Sequence, residues 1–268
     1  MRISAFTVLA QVVATVLSCG AAHAATVLKT ASRDLASNSA SVTTVYAEGG
    51  KMRIESGGGP HDVVAVFKDD TLYSLNPKDR TYMAMDRAAM KKMAETLNPA
   101  LKMLQQQMAN MTPEQRAQME KAMGTKLPGA GQESVEEIRK TGKTNKVAGY
   151  DCSYAEVWVD GALASELCVT PIATLKGGKE LLDASVKISA LMQDMLKEID
   201  APWIKQMANR QVENYSKLGG VPVLGRTFAN GKPTRESTLQ SITTQAAPAG
   251  AFDVPAGYTR KEMMPQRQ

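Results

Sequence analysis

Histidine is scarce in this sequence: the 268 residues contain two, and only His61 lies beyond the first 24 residues. A cysteine or serine nucleophile that needs an imidazole base therefore has a single candidate partner. His61 directly follows Gly59-Pro60, a pair typical of a surface turn. The preceding glycines, at residues 57–59, lack the lysine and the helix start of a phosphate-binding loop. We therefore expect no catalytic residues, no cofactor and no enzyme activity.

Aromatic residues are also few, at 5% of the chain, and the positive charge is dispersed. Basic residues are spread along the sequence, and pairs such as Lys91-Lys92 and Arg260-Lys261 are the longest runs. A nucleic-acid interface requires clustered positive charge interleaved with aromatic platforms. We therefore expect no nucleic-acid partner, although the formal net charge is +5.

The N-terminus has the pattern of an export signal at residues 1–24. Arg2 provides the charged start, residues 5–17 the apolar stretch, and the Ala-His-Ala at residues 22–24 a small-x-small cleavage site. Gln11 interrupts the apolar stretch, which is too short to cross a bilayer comfortably, so we expect no stable membrane span. Export and cleavage would place the mature protein in the bacterial periplasm. A lipoprotein acylated at Cys19 is the alternative, which the residues before Cys19 fit less well.

Cysteine is rare as well, with three in the chain. Signal removal leaves Cys152 and Cys168, an even number in an oxidising compartment. The sequence between them indicates a β-hairpin whose three-residue loop, Val159-Asp160-Gly161, has Gly161 in the left-handed conformation. That loop places the two cysteines directly opposite each other and within bridging range, so we predict a disulfide. Two unpaired buried thiols are the alternative.

The mature chain begins with short β-rich runs separated by turn residues. Connections such as Asp69-Asp70 and Asn76-Pro77 contain the Asx and proline residues that tight turns need. They are too short to cross over to a parallel partner, so the runs form an antiparallel meander. Asp69-Asp70 is then a hairpin tip rather than a carboxylate pair for acid–base chemistry. The runs lie at residues 26–30, 42–47, 51–55, 63–67, 71–75 and 81–85.

Residues 86–127 change to a helical period and form the first insertion. Asn98-Pro99 indicates that one helix ends there and that a second begins with proline at its first position. Thr112 and Gln115 have the spacing of a capping box, which predicts the start of a third helix. The apolar stripes of the first two helices contain Met90, Met93 and Leu97, and then Leu101, Leu104, Met108 and Met111.

The remaining chain predicts strands at residues 134–141 and 146–149, the cysteine hairpin, and a second insertion at about 178–218. This insertion begins with an amphipathic helix at residues 179–199 and continues into a helix that contains Trp203. An Asn230-Gly231 turn then joins two strands, and residues 263–268 form a loose tail. The apolar side of the amphipathic helix contains Leu181, Ile188, Leu191, Met192, Met195 and Ile199.

These elements predict one α+β domain over residues 25–262. A large antiparallel sheet would carry the two helical insertions, at about residues 86–127 and 178–218, with their apolar stripes buried on it.

Methionine is unusually frequent, with 16 in the chain. Methionines at helical spacing are ordinarily core residues, and here they share their stripes with leucines. Thioethers at such spacings could instead bind Cu(I), with the pairs Met83 and Met85, Met90 and Met93, and Met108 and Met111 as ligands. A third interpretation is an adaptable groove, because flexible thioether side chains can pack against apolar ligands of variable shape.

Several short motifs occur in order along the chain: Val45-Tyr46, residues 51–55, Leu72-Tyr73, Asn76-Pro77, Thr81-Tyr82, Thr141-Gly142, residues 147–150 with Cys152, residues 220–223 and residues 252–258. Together they resemble an exported bacterial family labelled only as a domain of unknown function and related to the LolA-like lipoprotein carriers. The resemblance implies a curved, unclosed antiparallel sheet, an open half-barrel, whose concave apolar side is covered by helices and could hold a lipid. The chain departs from small carriers in its length and in its methionine-rich insertion.

Taken together, these patterns favour a non-enzymatic periplasmic binding or carrier protein that holds a lipid, a lipoprotein acyl chain or another apolar group. A structural or regulatory envelope protein that acts through a protein partner is the second hypothesis, and methionine-based copper binding is the third. The residues expected to form the apolar lid over the ligand are Met90, Met93, Leu97, Leu101, Leu104, Met108, Leu191, Met192, Met195 and Trp203.

Overall fold

A computed structural model describes residues 24–57, 63–123, 135–201, 204–205, 208 and 217–262. In this part of the chain, twelve strands form a single sheet. The strands are β1 Ala24–Asp34, β2 Ala40–Glu48, β3 Lys51–Gly57, β4 Val63–Lys68, β5 Thr71–Asn76, β6 Thr81–Met85, β7 Glu136–Val147, β8 Tyr150–Val159, β9 Ala162–Thr170, β10 Val221–Ala229, β11 Lys232–Ala246 and β12 Thr259–Arg260. The helices are α1 Arg87–Ala109, α2 Pro113–Met123 and α3 Gly178–Glu198, with a short 3₁₀ helix at Ile172–Thr174.

Two antiparallel meanders make up the sheet, in the order β12-β6-β5-β4-β3-β2-β1-β11-β10-β9-β8-β7. The first meander is β1–β6, the second is β7–β11, and β1 joins them by pairing with β11. Only β12 runs parallel to its neighbour, β6. Within the described residues the sheet has two ends and does not close into a barrel. This confirms the predicted large antiparallel sheet with helical insertions.

Two-residue turns join many of the neighbouring strands. Both residues of Gly49-Gly50, Asp69-Asp70, Asp160-Gly161 and Asn230-Gly231 have positive φ. Positive φ at both positions is the type I′ geometry, whose twist matches that of antiparallel strands. The predictions of Asp69-Asp70 and Asn230-Gly231 as hairpin tips are confirmed.

The predicted disulfide is present, but its register differs from the prediction. Cys152 and Cys168 are bridged, with their Cα atoms 5.3 Å apart. The turn between β8 and β9 contains only Asp160 and Gly161. On β8, before this turn, the register shifts between Val157 and Trp158, so Cys168 lies opposite Tyr154. The bridge is therefore diagonal across the strand pair. The expected three-residue loop was wrong because Asp160 also adopts positive φ.

Both faces of the first meander are covered. On one face, which we call the helix face, Met52, Phe67 and Leu72 pack against α1 and α3. The opposite face carries Val66 and a group of tyrosines, and residues 247–262, which we call the strap, pack on it. Strand alternation places these two sets on opposite sides of the same strands. The strap ends in β12 and occupies the edge of β6.

The first helical insertion differs from the prediction at one point and agrees at another. No helix boundary occurs at Asn98-Pro99, because α1 continues through Pro99 to Ala109. The capping box that starts α2 is confirmed: the Thr112 amide donates to Gln115 Oε1 at 3.0 Å, and the Gln115 amide donates to Thr112 Oγ1 at 3.2 Å.

The second insertion begins as predicted, since α3 occupies Gly178–Glu198. The two short strands expected at residues 134–141 and 146–149 are one strand, β7, with an irregular register between Lys140 and Thr144. The glycine at position 142 in this irregularity has φ of +72°. The export signal, His61, Trp203 and the tail at residues 263–268 lie outside the described residues, apart from Ala24 at the end of the signal.

Candidate ligand-binding site

Six methionines from four elements meet where α1 and α3 pack on the helix face. We call this group the methionine core. Three of the six are buried, Met52 at 8% exposure, Met90 at 5% and Met195 at 6%. Phe67 and Leu191 complete its buried centre, both at 2% exposure. The six methionines are Met52, Met85, Met90, Met93, Met192 and Met195.

Simple helix and strand periodicity places these side chains together. Met90 and Met93 are three residues apart on α1, and Met192 and Met195 are three apart on α3, so each pair lies on one helix face. Met85 pairs with Leu72, which pairs with Phe67, and Phe67 pairs with Met52 across β3–β6. Residues that are directly opposite in paired strands share a face. The sheet thus supplies Met52 and Met85, and the helices supply the other four.

A second, smaller apolar cluster lies beside the methionine core. Ala94 on α1 packs with Ile199 and Ala201, which follow α3, and these three are almost completely buried. Leu101 and Ile204 are partly buried against them. The two clusters together hold the first half of α1 between the sheet and the C-terminal end of α3.

The structure brings together most, but not all, of the residues that the sequence predicted for an apolar lid. Met90, Met93, Leu191, Met192 and Met195 belong to the methionine core. Leu101 belongs to the second cluster and Leu97 is half-buried.

Other predicted lid residues lie elsewhere. Leu104 is 42% exposed and belongs to neither cluster, so its part in an apolar lid stays a prediction. The side chain of Met108 and the whole of Trp203 lie outside what the structure describes.

A small cavity of about 220 Å³ opens at the edge of the methionine core. Met90 and Met195 form its apolar wall, and the rest of its lining is charged. Arg87 Nη2 lies 2.7 Å from Asp194 Oδ2. Lys197 Nζ lies 2.7 Å from Asp194 Oδ1, the other carboxylate oxygen. The hydrogen bond from Lys197 and then the positive charges of Lys197 and Arg87 lower the pKa of Asp194.

Asn98 makes the only hydrogen bonds from α1 to the end of α3 that we observe among the described residues. Its Nδ2 donates to the Glu198 carbonyl at 3.0 Å, and its Oδ1 accepts the Asp200 amide at 2.8 Å. The sequence predicts a helix boundary at Asn98-Pro99 and does not indicate this contact. No local signal could have revealed it, because its partners are about a hundred positions away in the chain.

A separate cleft of about 320 Å³ lies under the strap. Lys68 Nζ and Asp253 Oδ1 form an ion pair at 2.6 Å on its wall. Lys51 lies over the ring of Phe252, with 5.6 Å between its Nζ and the ring centroid. The hydrogen bond from Lys68 lowers the pKa of Asp253 and raises that of Lys68. The cleft is polar and open, and the ion pair and the Lys51–Phe252 contact both join the strap to the sheet.

Comparison with known proteins identifies the family. The family model described as "Domain of unknown function (DUF4412)" matches residues 90–258, which include the first helical insertion from Met90 onward, the whole of the second insertion and the cysteine hairpin. The chain belongs to this DUF4412 family. The family's description states no function, and no curated protein sequence matches the chain.

The DUF4412 chain is also similar to a solved structure described as an uncharacterized conserved protein from Thermus thermophilus. The similarity covers 90% of this chain and 91% of that chain, with 8% sequence identity and a TM-score of 0.42.

The described part of this DUF4412 chain contains no cluster of three or more histidine, cysteine, aspartate or glutamate side chains arranged to hold a metal. Of the methionines proposed as Cu(I) ligands, Met85, Met90 and Met93 lie in the methionine core, whereas Met83 is 39% exposed. Copper binding stays a prediction. Among the described helices, none combines the length and the apolar character that a membrane crossing needs.

Proposed function

We propose that this protein is a non-enzymatic periplasmic binding or carrier protein that holds a lipid, an acyl chain or another apolar group between the helix face and the α1–α3 pair. The methionine core is the observation that carries this proposal. Six thioether side chains contributed by two strands and two helices form an interface with little stereochemical preference for one packing partner. Such an interface can separate and re-form around an inserted chain.

The closed geometry supports a site that must open. The cavity at the edge of the methionine core measures about 220 Å³, which is below the range of about 300–1,000 Å³ typical of ligand pockets. An acyl chain therefore requires α1 to move away from the sheet. Each methylene of the ligand that moves from water into the methionine core would contribute about 0.8 kcal/mol to binding. Burial of a long chain can therefore offset the free energy needed to separate the two surfaces.

The charges at the cavity mouth suit an amphiphile. Arg87 and Lys197 lie beside apolar Met90 and Met195 in the lining. An anionic head group could take the place of Asp194 as partner of the two cations while its chain enters the methionine core. The open sheet covered by helices is the architecture expected of a LolA-like half-barrel, and this likeness supports the proposal by analogy. The disulfide is compatible with an exported location.

Volume-conserving substitution of the core methionines tests the proposal. Isoleucine has a stiff, β-branched side chain of similar size, so Met90→Ile combined with Met195→Ile should reduce adaptability without creating a large cavity. We expect the affinity for a bulky fluorescent fatty-acid probe to fall at least fivefold, and the affinity for a slim one to change less. Met103→Ile is the matched control, because Met103 lies on the same helix and is 60% exposed.

Lipid analysis of natively purified protein gives the complementary result. We expect mass spectrometry of the extract to detect bound lipid or fatty acid in wild-type protein. Absence of lipid, together with no binding of any fluorescent probe, would contradict the carrier function. Tight Cu(I) binding that is lost when Met83, Met85, Met90 and Met93 are replaced would favour the copper hypothesis instead.

One observation favours a protein partner as the second candidate function. After Pro99, residues 102–107 of α1 are all exposed, and they include Met103 at 60% and Leu104 at 42% exposure. This part of α1 projects an incompletely covered apolar surface, which is a feature of interaction sites. Replacing both side chains with glutamine should leave lipid binding unchanged and weaken capture of an envelope partner if this second function holds.

A further inference from the structure

We infer that Asn98 is a latch that holds α1 on α3 and thereby sets the rate at which the methionine core opens. This inference rests on the proposed function and names a positioning residue for it. Asn98 does not contact the methionine core itself. It acts through the backbone at the end of α3.

The latch uses both ends of one side-chain amide. Nδ2 donates to the Glu198 carbonyl at 3.0 Å, and Oδ1 accepts from the Asp200 amide at 2.8 Å. Carbonyls in the last turn of a helix and amides just beyond it lack partners within the helix. Asn98 therefore satisfies two backbone groups that would otherwise depend on water, and it ties α1 to the point where α3 ends.

Pro99 makes the position of the latch important. A proline inside a helix lacks the amide that would bond the carbonyl four residues earlier, so α1 has a missing hydrogen bond at Glu95. This weak point lies between a packed first half, residues 87–98, and a second half in which Leu101 is still partly buried and residues 102–107 are exposed. Asn98 is the last residue of the packed half. A latch at this position restrains the packed half where the helix can bend most easily.

The packed half has a second tether at its other end. Arg87, the first residue of α1, forms its ion pair with Asp194 of α3 at 2.7 Å. The packed half is about 18 Å long, so the two tethers lie at opposite ends of it. The Arg87 side chain is 65% exposed, and salt screens an exposed ion pair. The Asn98 hydrogen bonds are neutral, so salt does not screen them in this way.

Hydrogen exchange of the full-length protein tests the latch independently of any ligand. In Asn98→Ala, amides within residues 90–97 should exchange about tenfold faster, since two hydrogen bonds that hold the packed half closed are lost. Amides of β1 and β11 should keep their wild-type rates. Asn110→Ala is the matched control, because Asn110 is an exposed asparagine immediately after α1 and should leave residues 90–97 unchanged.

Asn98→Asp separates a latch from a merely structural role. A charged carboxylate has no proton to donate to the Glu198 carbonyl, whereas a protonated carboxyl group has both a donor and an acceptor, like the amide. Exchange in Asn98→Asp should therefore exceed the wild-type rate at neutral pH and return towards it near pH 3.5. Asn98→Asp is compared with Asn98→Ala at the same pH, so that any effect of pH on the nearby carboxylates of Asp194, Glu198 and Asp200 is the same in both variants.

Probe kinetics connect the latch to ligand entry. The association rate of a fluorescent fatty acid should rise about tenfold in Asn98→Ala, because the two hydrogen bonds that oppose opening of α1 are lost. Faster exchange without faster probe kinetics would overturn the gating role. Unchanged exchange, or a uniform increase across the sheet, would overturn the latch itself. If wild-type protein binds no probe, the proposed function fails while hydrogen exchange still decides the latch.

Discussion

Gly177 controls how α3 meets the sheet. Its φ of +68° is in the left-handed region, and a Cβ atom at this position would overlap the Thr26 side chain. Thr26 is almost completely buried on β1, and its hydroxyl donates to the Gly177 carbonyl at 3.2 Å. The residue before α3 therefore needs both the backbone freedom of glycine and its lack of a side chain.

Gly177→Ala should destabilise the protein by about 2–4 kcal/mol, the sum of left-handed strain and steric overlap with Thr26. Urea unfolding measures the change in the free energy of unfolding. Gly231→Ala is the control, because Gly231 has φ of +71° and no atom lies near the position of a Cβ. This variant should reduce the free energy of unfolding by only about 1 kcal/mol. Equal losses in the two variants would show that Thr26 moves aside without cost.

The contacts of some single residues could be predicted from the sequence, and those of others could not. The disulfide between Cys152 and Cys168 was predictable because the predicted export signal and the spacing of the two cysteines both pointed to it. Thr112 was predictable as a cap because its partner, Gln115, is three positions away. Asn98 was predicted to lie at a helix boundary from its neighbour Pro99, but its side-chain hydrogen bonds join it to Glu198 and Asp200.

At the scale of elements, the cysteine hairpin is anchored by its bridge. Cys152 and Cys168 are 3% and 0% exposed, and they pack with Leu175 and Val223. The bridge joins β8 to β9, and Leu175, from the segment that leads into α3, packs in the same apolar cluster. It therefore stabilises the packing beneath the hairpin as well as the hairpin itself.

Replacing both cysteines with alanine should reduce the free energy of unfolding by about 3 kcal/mol, the chain-entropy value for a loop of about 15 residues. Urea unfolding with and without a thiol reductant measures the effect. Reductant should destabilise the wild-type protein under unfolding conditions and leave the Cys152→Ala, Cys168→Ala protein unaffected. Two thiols that react with a maleimide in the unreduced, denatured wild-type protein would contradict the bridge.

The continuity of α1 shows tertiary packing overriding a local signal. Asn98-Pro99 has the composition of a helix boundary, and proline within a helix costs about 3 kcal/mol. Ala94 before Pro99 and Leu101 after it both pack against the residues that follow α3. Burial of both sides of the boundary offsets the lost hydrogen bond, so the helix continues.

At the scale of the whole molecule, the strap completes the first meander. Ala251 and Phe252 cover Val64, Val66 and Leu75 on the face opposite the helices. The Arg53 guanidinium donates to the Ala251 carbonyl at 2.9 Å. The Thr259 and Lys261 amides then donate to the Arg80 and Tyr82 carbonyls, which pairs the edge of β6. An uncovered strand edge would invite association with other chains.

In a chain that ends after Ala246, the free energy of unfolding should fall by about 3 kcal/mol or more, because burial of Phe252 alone contributes on this scale. Its Tm should fall by roughly 6–12 °C. It should also form oligomers by size-exclusion chromatography, because the edge of β6 is no longer paired. A chain that ends after Glu262 is the control and should match full-length protein in both measurements. Equal behaviour of the two truncated chains would show that the strap contributes nothing to stability or to protection of the edge.

Local sequence by itself determined the pieces of this protein: its turns, most of its strands and helices, and the disulfide pair. These follow from backbone preferences and periodicities that act over a few residues, such as positive φ at Asn230-Gly231 or the stripe along α3. Tertiary structure alone decided that β1 pairs with β11, that the strap covers the first meander, and that Asn98 binds the end of α3. It also brought the methionines of β3, β6, α1 and α3 into one core. Such contacts join residues far apart in the chain, and no local preference encodes which distant surfaces bury each other best.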